Sequence, residues 1–268
     1  MTDFRPGSLV LASGPDGDGV AVLTLNRPEK KNALSIALRE EVVALLGRMA
    51  DDEALKTLVI TGSGGCFSAG FDLREFAVTD PGHTERLWQS SDLFHHAVHR
   101  FPLPVIAAVD GIAYAGGFDL AVLCDLRIAT HRAAFAHPET TLGPVVYGPL
   151  HDLVGGAIAR ELVLTGREID AGEALRLHLV TGNWGLNAYL VTGPVSGCLQ
   201  LVAAGLSGRV SRPPGPLSQP AARAGRRRPG RAGTRCLAYR RCGPDRPGRP
   251  GQTRPWSAPS GKRCSHGR

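Results

Sequence analysis

Twice along this chain an apolar run ends in a glycine turn and gives way to a helical pattern. The first turn is Phe67-Ser68-Ala69-Gly70-Phe71-Asp72-Leu73, after Leu58-Val59-Ile60; the second is Ala115-Gly116-Gly117-Phe118-Asp119, after Pro104–Val109. A glycine at a strand-to-helix junction lets the backbone approach a ligand and turn its N–H groups outward. Two such groups aimed at one oxygen make an oxyanion hole, needed wherever a thioester or similar carbonyl gathers negative charge. The bland alternative is two tight turns that serve packing alone.

The surrounding pattern alternates strands and helices, which implies an α/β domain. Ser8–Ala12 and Val20–Leu25 read as a hairpin around a Gly/Asp/Pro turn. Ser35 reads as the N-cap of a helix running to about Asp51, with Leu38, Val42, Leu45, Leu46 and Met49 at helical spacing. A helix is expected over about Thr84–Arg100, with Leu87, Leu93, Phe94 and Val98 inward. Another is expected over 117–124, followed by a strand at Leu126–Ala129. Asp170-x-x-Glu173 marks a capping-box start to a helix through Leu179. The repeated strand–turn–helix units predict a spiral of similar turns rather than an open sheet.

Charge divides the chain in two. Residues 1–181 hold 15 Lys/Arg against 23 Asp/Glu; residues 182–268 hold 15 Arg and Lys262 against Asp245 alone, with no Glu, Phe, Ile or Met. Such a Pro-, Gly- and Arg-rich tail cannot bury enough apolar surface to offset its ordering entropy, so disorder is expected from about Ser207. The start has no apolar core, and glycines and Pro194 interrupt Leu186–Leu206. Neither a signal peptide nor a membrane span is expected. Six cysteines without a C-x-x-C pair read as free thiols of a cytoplasmic protein. His95 and His99 lie four apart on a helix, but no acid completes a metal set, and a partly exposed helix face is expected.

Five ordered segments resemble the crotonase family, the enoyl-CoA hydratase/isomerase superfamily, from about residue 8 to 181. They are Leu25–Leu34, Val59–Leu73, Ala108–Leu120, Phe135-Ala136-His137-Pro138-Glu139 and Leu164–Ala171. The resemblance implies a crotonase-like ββα spiral over a domain of residues 1–181. It also implies an acyl-CoA thioester substrate, no cofactor beyond the coenzyme A of that substrate, no metal, and a homo-trimer or hexamer. By the same resemblance Leu25–Leu34 is a coenzyme A segment and the glycine turns are oxyanion elements, with the N–H groups of Phe71 and Gly116 as donors. Substrate-binding candidates are Arg27, Lys30, Ala33, Asp72, Leu73 and Arg74.

The family's hydratases use two glutamates around one water. Glu139 aligns with the second and Asp119, one methylene shorter, with the first. One carboxylate helps deprotonate the water that adds to Cβ; the other protonates Cα, so their pKa values must be driven apart. Asp119 also reads as a favourable acid in a helix's first turn, and Glu139 as a solvated loop charge. Some relatives with Asp at this position, dienoyl-CoA isomerases among them, carry a further Asp eight residues after the glutamate; here Tyr147 stands there. The implied activity is hydration of a trans-2-enoyl-CoA, as in fatty acid β-oxidation. The alternatives are double-bond isomerisation or a catalytically dead homologue.

Residues 182–268 do not match the family, whose helices there close the acyl pocket and meet a neighbouring subunit. The switch to residues of G+C-rich codons predicts a frame lost near Thr181–Trp184. A tail that binds nucleic acid is the competing reading. Trp184, Tyr189, Tyr239 and Trp256 are too scattered to form a stacking surface, so no specific nucleic acid partner is expected.

Overall fold

A computed structural model of the protein describes residues 8–141 and 148–183. Tyr147, Trp184, the Leu186–Leu206 stretch, the tail from Ser207 and its cysteines lie outside the described residues, which run two residues past the expected boundary at 181.

The hairpin forms from β1 (Val10–Ser13) and β2 (Val20–Leu25), antiparallel with Val10 opposite Leu25. Beyond it the main sheet is parallel. β3 (Thr57–Gly62), β4 (Val105–Val109), β6 (Leu126–Ala129) and β9 (Gly182–Asn183) follow β2 in that spatial order. All six residues of β3 are buried, as expected of a parallel strand covered on both faces.

A second, smaller sheet pairs β5 (Ile112–Tyr114) parallel to β7 (Ala134–Ala136), with β8 (Ile169–Asp170) antiparallel on the other side. The chain thus alternates between sheets. β4 leads to β5 and then to helix α4 (Gly116–Leu123); β6 leads to β7 and then, after a one-turn 3-10 helix at Pro138–Thr141, to α5 (Gly148–Val154) and α6 (Gly156–Thr165). β3 obeys the same rule, because Ser68 makes an isolated parallel bridge to Ala113 before the chain enters α2 (Leu73–Phe76) and α3 (Pro81–His99). This is the ββα spiral that the sequence leads one to expect.

Helix α1 (Ile36–Ala50) begins where Ser35 accepts a hydrogen bond from the Leu38 N–H, and it buries Leu38, Val42, Leu45 and Leu46. It packs on α3. Each fully buried leucine contributes about 1.5–3 kcal/mol of transfer free energy.

Three expectations need correction. Leu93 points outward and is 53% exposed, while Leu87, Phe94 and Val98 are buried. At 100° per residue Leu93 falls off the stripe that the other three share. Helix α3 starts at Pro81, not Thr84, because the Asp80 carboxylate caps the His83 N–H and Pro81 takes the first helical position. Helix α7 (Ala171–Arg176) starts as expected, with Asp170 accepting from the Glu173 N–H, but it stops before Leu179. His178 turns left-handed at φ 57°, and the Leu179 N–H folds back onto the Ala174 carbonyl. Near this end of the chain Leu164 and Leu175 are exposed, at 79% and 38%. No helix among the described residues is long and apolar enough to cross a membrane.

Candidate active site

The two glycine turns meet. A Cβ placed on Gly70, at φ 91°, would lie 2.8 Å from the Tyr114 carbonyl and 3.1 Å from the Gly116 nitrogen. One on Gly117 would lie 2.4 Å from the Ser68 carbonyl. The chain needs glycine at both positions to bring the turns this close, and Gly70 needs it for its conformation as well. Between the turns the Ser68 N–H donates to the Ile112 carbonyl and the Tyr114 N–H to the Ser68 carbonyl. Ala115, immediately before Gly116, sits at φ 50° and ψ −127°, a region L-residues avoid. Its N–H is anchored on the Ala136 carbonyl at 2.9 Å. The amide N–H groups of Phe71 and Gly116 find no acceptor among the described residues. Gly116 opens α4, so its N–H stands at the positive end of the helix dipole.

The Leu25–Leu34 segment is laced to the first turn. Asn32, fully buried and itself left-handed at φ 52°, donates through its amide to the carbonyls of Ser63 and Cys66 and accepts from the Arg27 N–H. The Leu34 N–H donates to the Gly70 carbonyl, the Ala69 N–H to the Lys31 carbonyl and the Ser68 hydroxyl to the Asn32 carbonyl. Arg27 spends its guanidinium on the Ala33 carbonyl (2.8 Å) and on Asp72 (3.2 Å), which also caps α2. Three expected substrate-binding residues, Arg27, Ala33 and Asp72, are therefore brought together at one corner. Lys30, Leu73 and Arg74 are exposed.

Beneath Phe71 lies a buried cation. Arg39 donates to the Leu34 carbonyl (2.5 Å), the Ser90 hydroxyl (2.7 Å) and the Leu87 carbonyl (3.2 Å). Its guanidinium sits 4.5 Å from the centre of the Phe71 ring. It ties α1, α3 and the first glycine turn in one contact set. Sequence reading missed it, since an arginine on a helix reads as a solvated charge. His95 packs its ring edge-on to Phe71 and Phe94, and its Nδ1 contacts the Ser91 carbonyl at 2.7 Å. Among the described residues no group of three or more His, Cys, Asp or Glu side chains is arranged so that it could hold a metal ion.

Asp119 and Glu139 come together across the fold. Asp119 is delivered by the first turn of α4 and Glu139 by the 3-10 turn after β7. Burial, and then the nearby Glu139, hold the Asp119 carboxyl well above the usual carboxylate range. Glu139 is more open, its side chain 21% exposed against 8% for Asp119. Between them lies His137, fully buried and stacked on Phe118 at 4.6 Å. Its Nδ1 is 3.1 Å from Glu139 Oε1 and its Nε2 is 3.8 Å from Asp119 Oδ1. Asp119 Oδ1, His137 Nε2 and Glu139 Oε2 are buried without a hydrogen-bond partner among the described residues. The sequence held His137 inside a motif but gave no sign of this role, which depends on α4 meeting the turn.

A ββα spiral that brings its two glycine turns into contact and Asp119 to Glu139 defines a class of fold and site, and the comparisons narrow it. The model of the enoyl-CoA hydratase/isomerase family matches residues 16–186, and the chain belongs to that family. A probable enoyl-CoA hydratase of Mycobacterium tuberculosis is 38% identical over 166 residues, 60% of this chain and 64% of the relative. The 4-chlorobenzoyl coenzyme A dehalogenase-2 of an Arthrobacter species is 35% identical over 171 residues, 61% of this chain and 62% of the relative. The crystal structure of an enoyl-CoA hydratase from Bacillus anthracis superposes with a TM-score of 0.67 at 30% identity, covering 74% of this chain and 76% of that one. The chain spans less than two thirds of the length of these two curated relatives.

Proposed function

We propose that the protein is a hydratase-like lyase that adds water to a trans-2-enoyl-CoA thioester through an oxyanion-stabilised enolate. The observation that carries this reading is the contact between the two glycine turns, whose Phe71 and Gly116 amides have no acceptor among the described residues, in a fold that also brings Asp119 to Glu139. The N–H groups of Phe71 and Gly116 take the thioester oxygen as it gathers charge; one such donor is worth about 2.7–4 kcal/mol of transition-state stabilisation. Burial, and then the nearby Glu139, favour the neutral form of Asp119, which suits it to the acid role. Glu139, more open and tied to His137, is the base.

Glu139 takes a proton from the water whose oxygen bonds to Cβ. Electrons move onto the thioester oxygen, and the carbonyl re-forms as Asp119 gives its proton to Cα. Asp119 is left ionised and Glu139 protonated, and exchange with solvent restores both. The coenzyme A moiety lies along Leu25–Leu34, with Lys30 and Arg74 as exposed cations suited to its phosphates. Arg27 and Asp72 act there by holding the Ala33 corner in shape, and Leu73 offers exposed apolar surface beside it. No cofactor beyond the substrate's own coenzyme A is required.

The test is to follow loss of enoyl thioester absorbance with purified full-length chain beside Glu139→Gln. Turnover by the parent that the variant loses supports the reading. Equal rates remove Glu139 from the mechanism, and no turnover by the parent rejects hydration.

A further inference from the structure

The Phe71 ring touches both Arg39 and the second glycine turn. The fully buried Arg39 guanidinium stands 4.5 Å from the ring centre, and a Cβ on Gly116 would lie 3.0 Å from the ring's Cδ1 and Cε1. Resting on the oxyanion half of the reading above, and on neither carboxylate's role, we infer that Arg39 is a positioning residue. By holding the Phe71 ring and the Leu34 carbonyl it sets the spacing of the two amides that take the acyl oxygen.

Phe71 carries the donor on its backbone and the contact on its side chain. Its backbone pairs with Leu34 in an isolated parallel bridge, and the Leu34 N–H donates to the Gly70 carbonyl at 2.8 Å. Arg39 grips both halves of that pair: its Nη1 donates to the Leu34 carbonyl, and its guanidinium covers the Phe71 ring. The other guanidinium nitrogens donate to the Ser90 hydroxyl and the Leu87 carbonyl of α3. Glu75 of α2 comes within 4.0 Å, and its carboxylate also accepts from the Ile36 N–H at the start of α1. The grip on the first turn is thus braced on three helices.

Packing alone does not call for a cation here. Moving a guanidinium out of water is unfavourable, and an apolar side chain of similar volume would cover the ring without that penalty. An apolar side chain cannot hold the Leu34 carbonyl. A planar fork can donate along its edges while its face lies on a ring, which the ammonium of lysine cannot do. On the other side the ring already abuts Gly116, so any drift of Phe71 changes the distance between the turns. A misplacement of about 1 Å at a reacting centre lowers rates on the order of 100-fold.

Arg39→Met keeps apolar bulk and removes the fork; Arg39→Lys keeps the charge and loses the plane. The first measurement needs neither ligand nor turnover. NMR of the full-length protein reads the ring-current shift of the Gly116 α-protons and the amide resonances of Phe71 and Gly116. All should move in Arg39→Met and move less in Arg39→Lys. Unmoved Gly116 resonances in folded Arg39→Met overturn the inference. If the parent hydrates no enoyl-CoA, the proposed function falls while this measurement still decides the role of Arg39.

The second measurement is steady-state kinetics with a short trans-2-enoyl-CoA. An oxyanion contact gains strength in the transition state, so kcat should fall about 10–100-fold in Arg39→Met with KM little changed, and less far in Arg39→Lys. A lower thermal midpoint with kcat unchanged means that Arg39 only joins the helices, and the inference fails. Should neither variant fold, nuclear Overhauser contacts in the parent decide. Contacts from the Arg39 side chain to the Phe71 ring, and from that ring to the Gly116 α-protons, are expected; the absence of either overturns the inference.

Discussion

The two sides of the site are built from different materials. The side that would receive the acyl oxygen is backbone: Gly70, Ala115, Gly116 and Gly117 set the chain path, and the amides of Phe71 and Gly116 follow from it. Ser68, Asn32 and the strand-like bridges tie the chain path down, and the amides of Phe71 and Gly116 have no acceptor among the described residues. The side that would hold water is made of side chains. Asp119, His137 and Glu139 arrive from two separate elements and leave three polar atoms buried without partners among the described residues. Backbone positions are fixed by sterics and tolerate little change. Side-chain positions are fixed by each other, so their chemistry is coupled and their substitutions will not add.

That contrast can be broken in order of expected effect. Glu139→Gln should lower kcat about 10²–10⁴-fold. Adding Asp119→Asn should then cost little more, because groups that act as a unit lose their effect together; steady-state kinetics of the single and double variants decide this, and additive losses would dissolve the unit.

On the backbone side, Gly117→Val should act through packing. Its Cβ would lie 2.4 Å from the Ser68 carbonyl, so the turns must part. A cost of about 1–3 kcal/mol in stability is expected, read as a lower thermal midpoint. An unchanged midpoint would mean that the turns are not held in contact.

Asp119→Asn sharpens the contrast through pH. Because the folded protein raises the Asp119 pKa, it binds this proton more tightly than the unfolded chain does. Stability is therefore lost as pH climbs from the unfolded pKa through the raised folded one. The asparagine variant should gain thermal stability over the parent at pH 8 and little at pH 4. A gain that does not depend on pH would show that Asp119 is ionised in the fold. The smallest effect belongs to the surface. Lys30→Ala or Arg74→Ala should raise KM by at most about five-fold and leave the thermal midpoint unchanged, since exposed ion contacts contribute up to about 1 kcal/mol.

The same division explains what could be read from the chain. The glycine turns were legible because only glycine permits the φ of Gly70 and the approach at Gly117. The core stripe of α1 was legible because Ser35 announces its start and the leucines keep a 3.6-residue period. Leu93 was misplaced because an apolar residue next to the stripe looks like a member of it. The start of α3 was missed because Asp80-Pro81-Gly82 carries turn chemistry as well as cap chemistry. Arg39 and His137 were invisible as site elements. A buried arginine under Phe71 and an imidazole between two carboxylates arise from contacts between segments tens of residues apart or on different elements, and no local pattern encodes them.

The account rests on the amides of Phe71 and Gly116 sharing one acyl oxygen. Infrared difference spectroscopy of an acyl-CoA carrying a 13C label at its thioester carbonyl, bound to the full-length protein, probes this most directly. Two converging donors should polarise the bond and move its stretch to lower frequency than in water. A bound ligand whose carbonyl stretch stays at its aqueous frequency or rises above it would contradict the account.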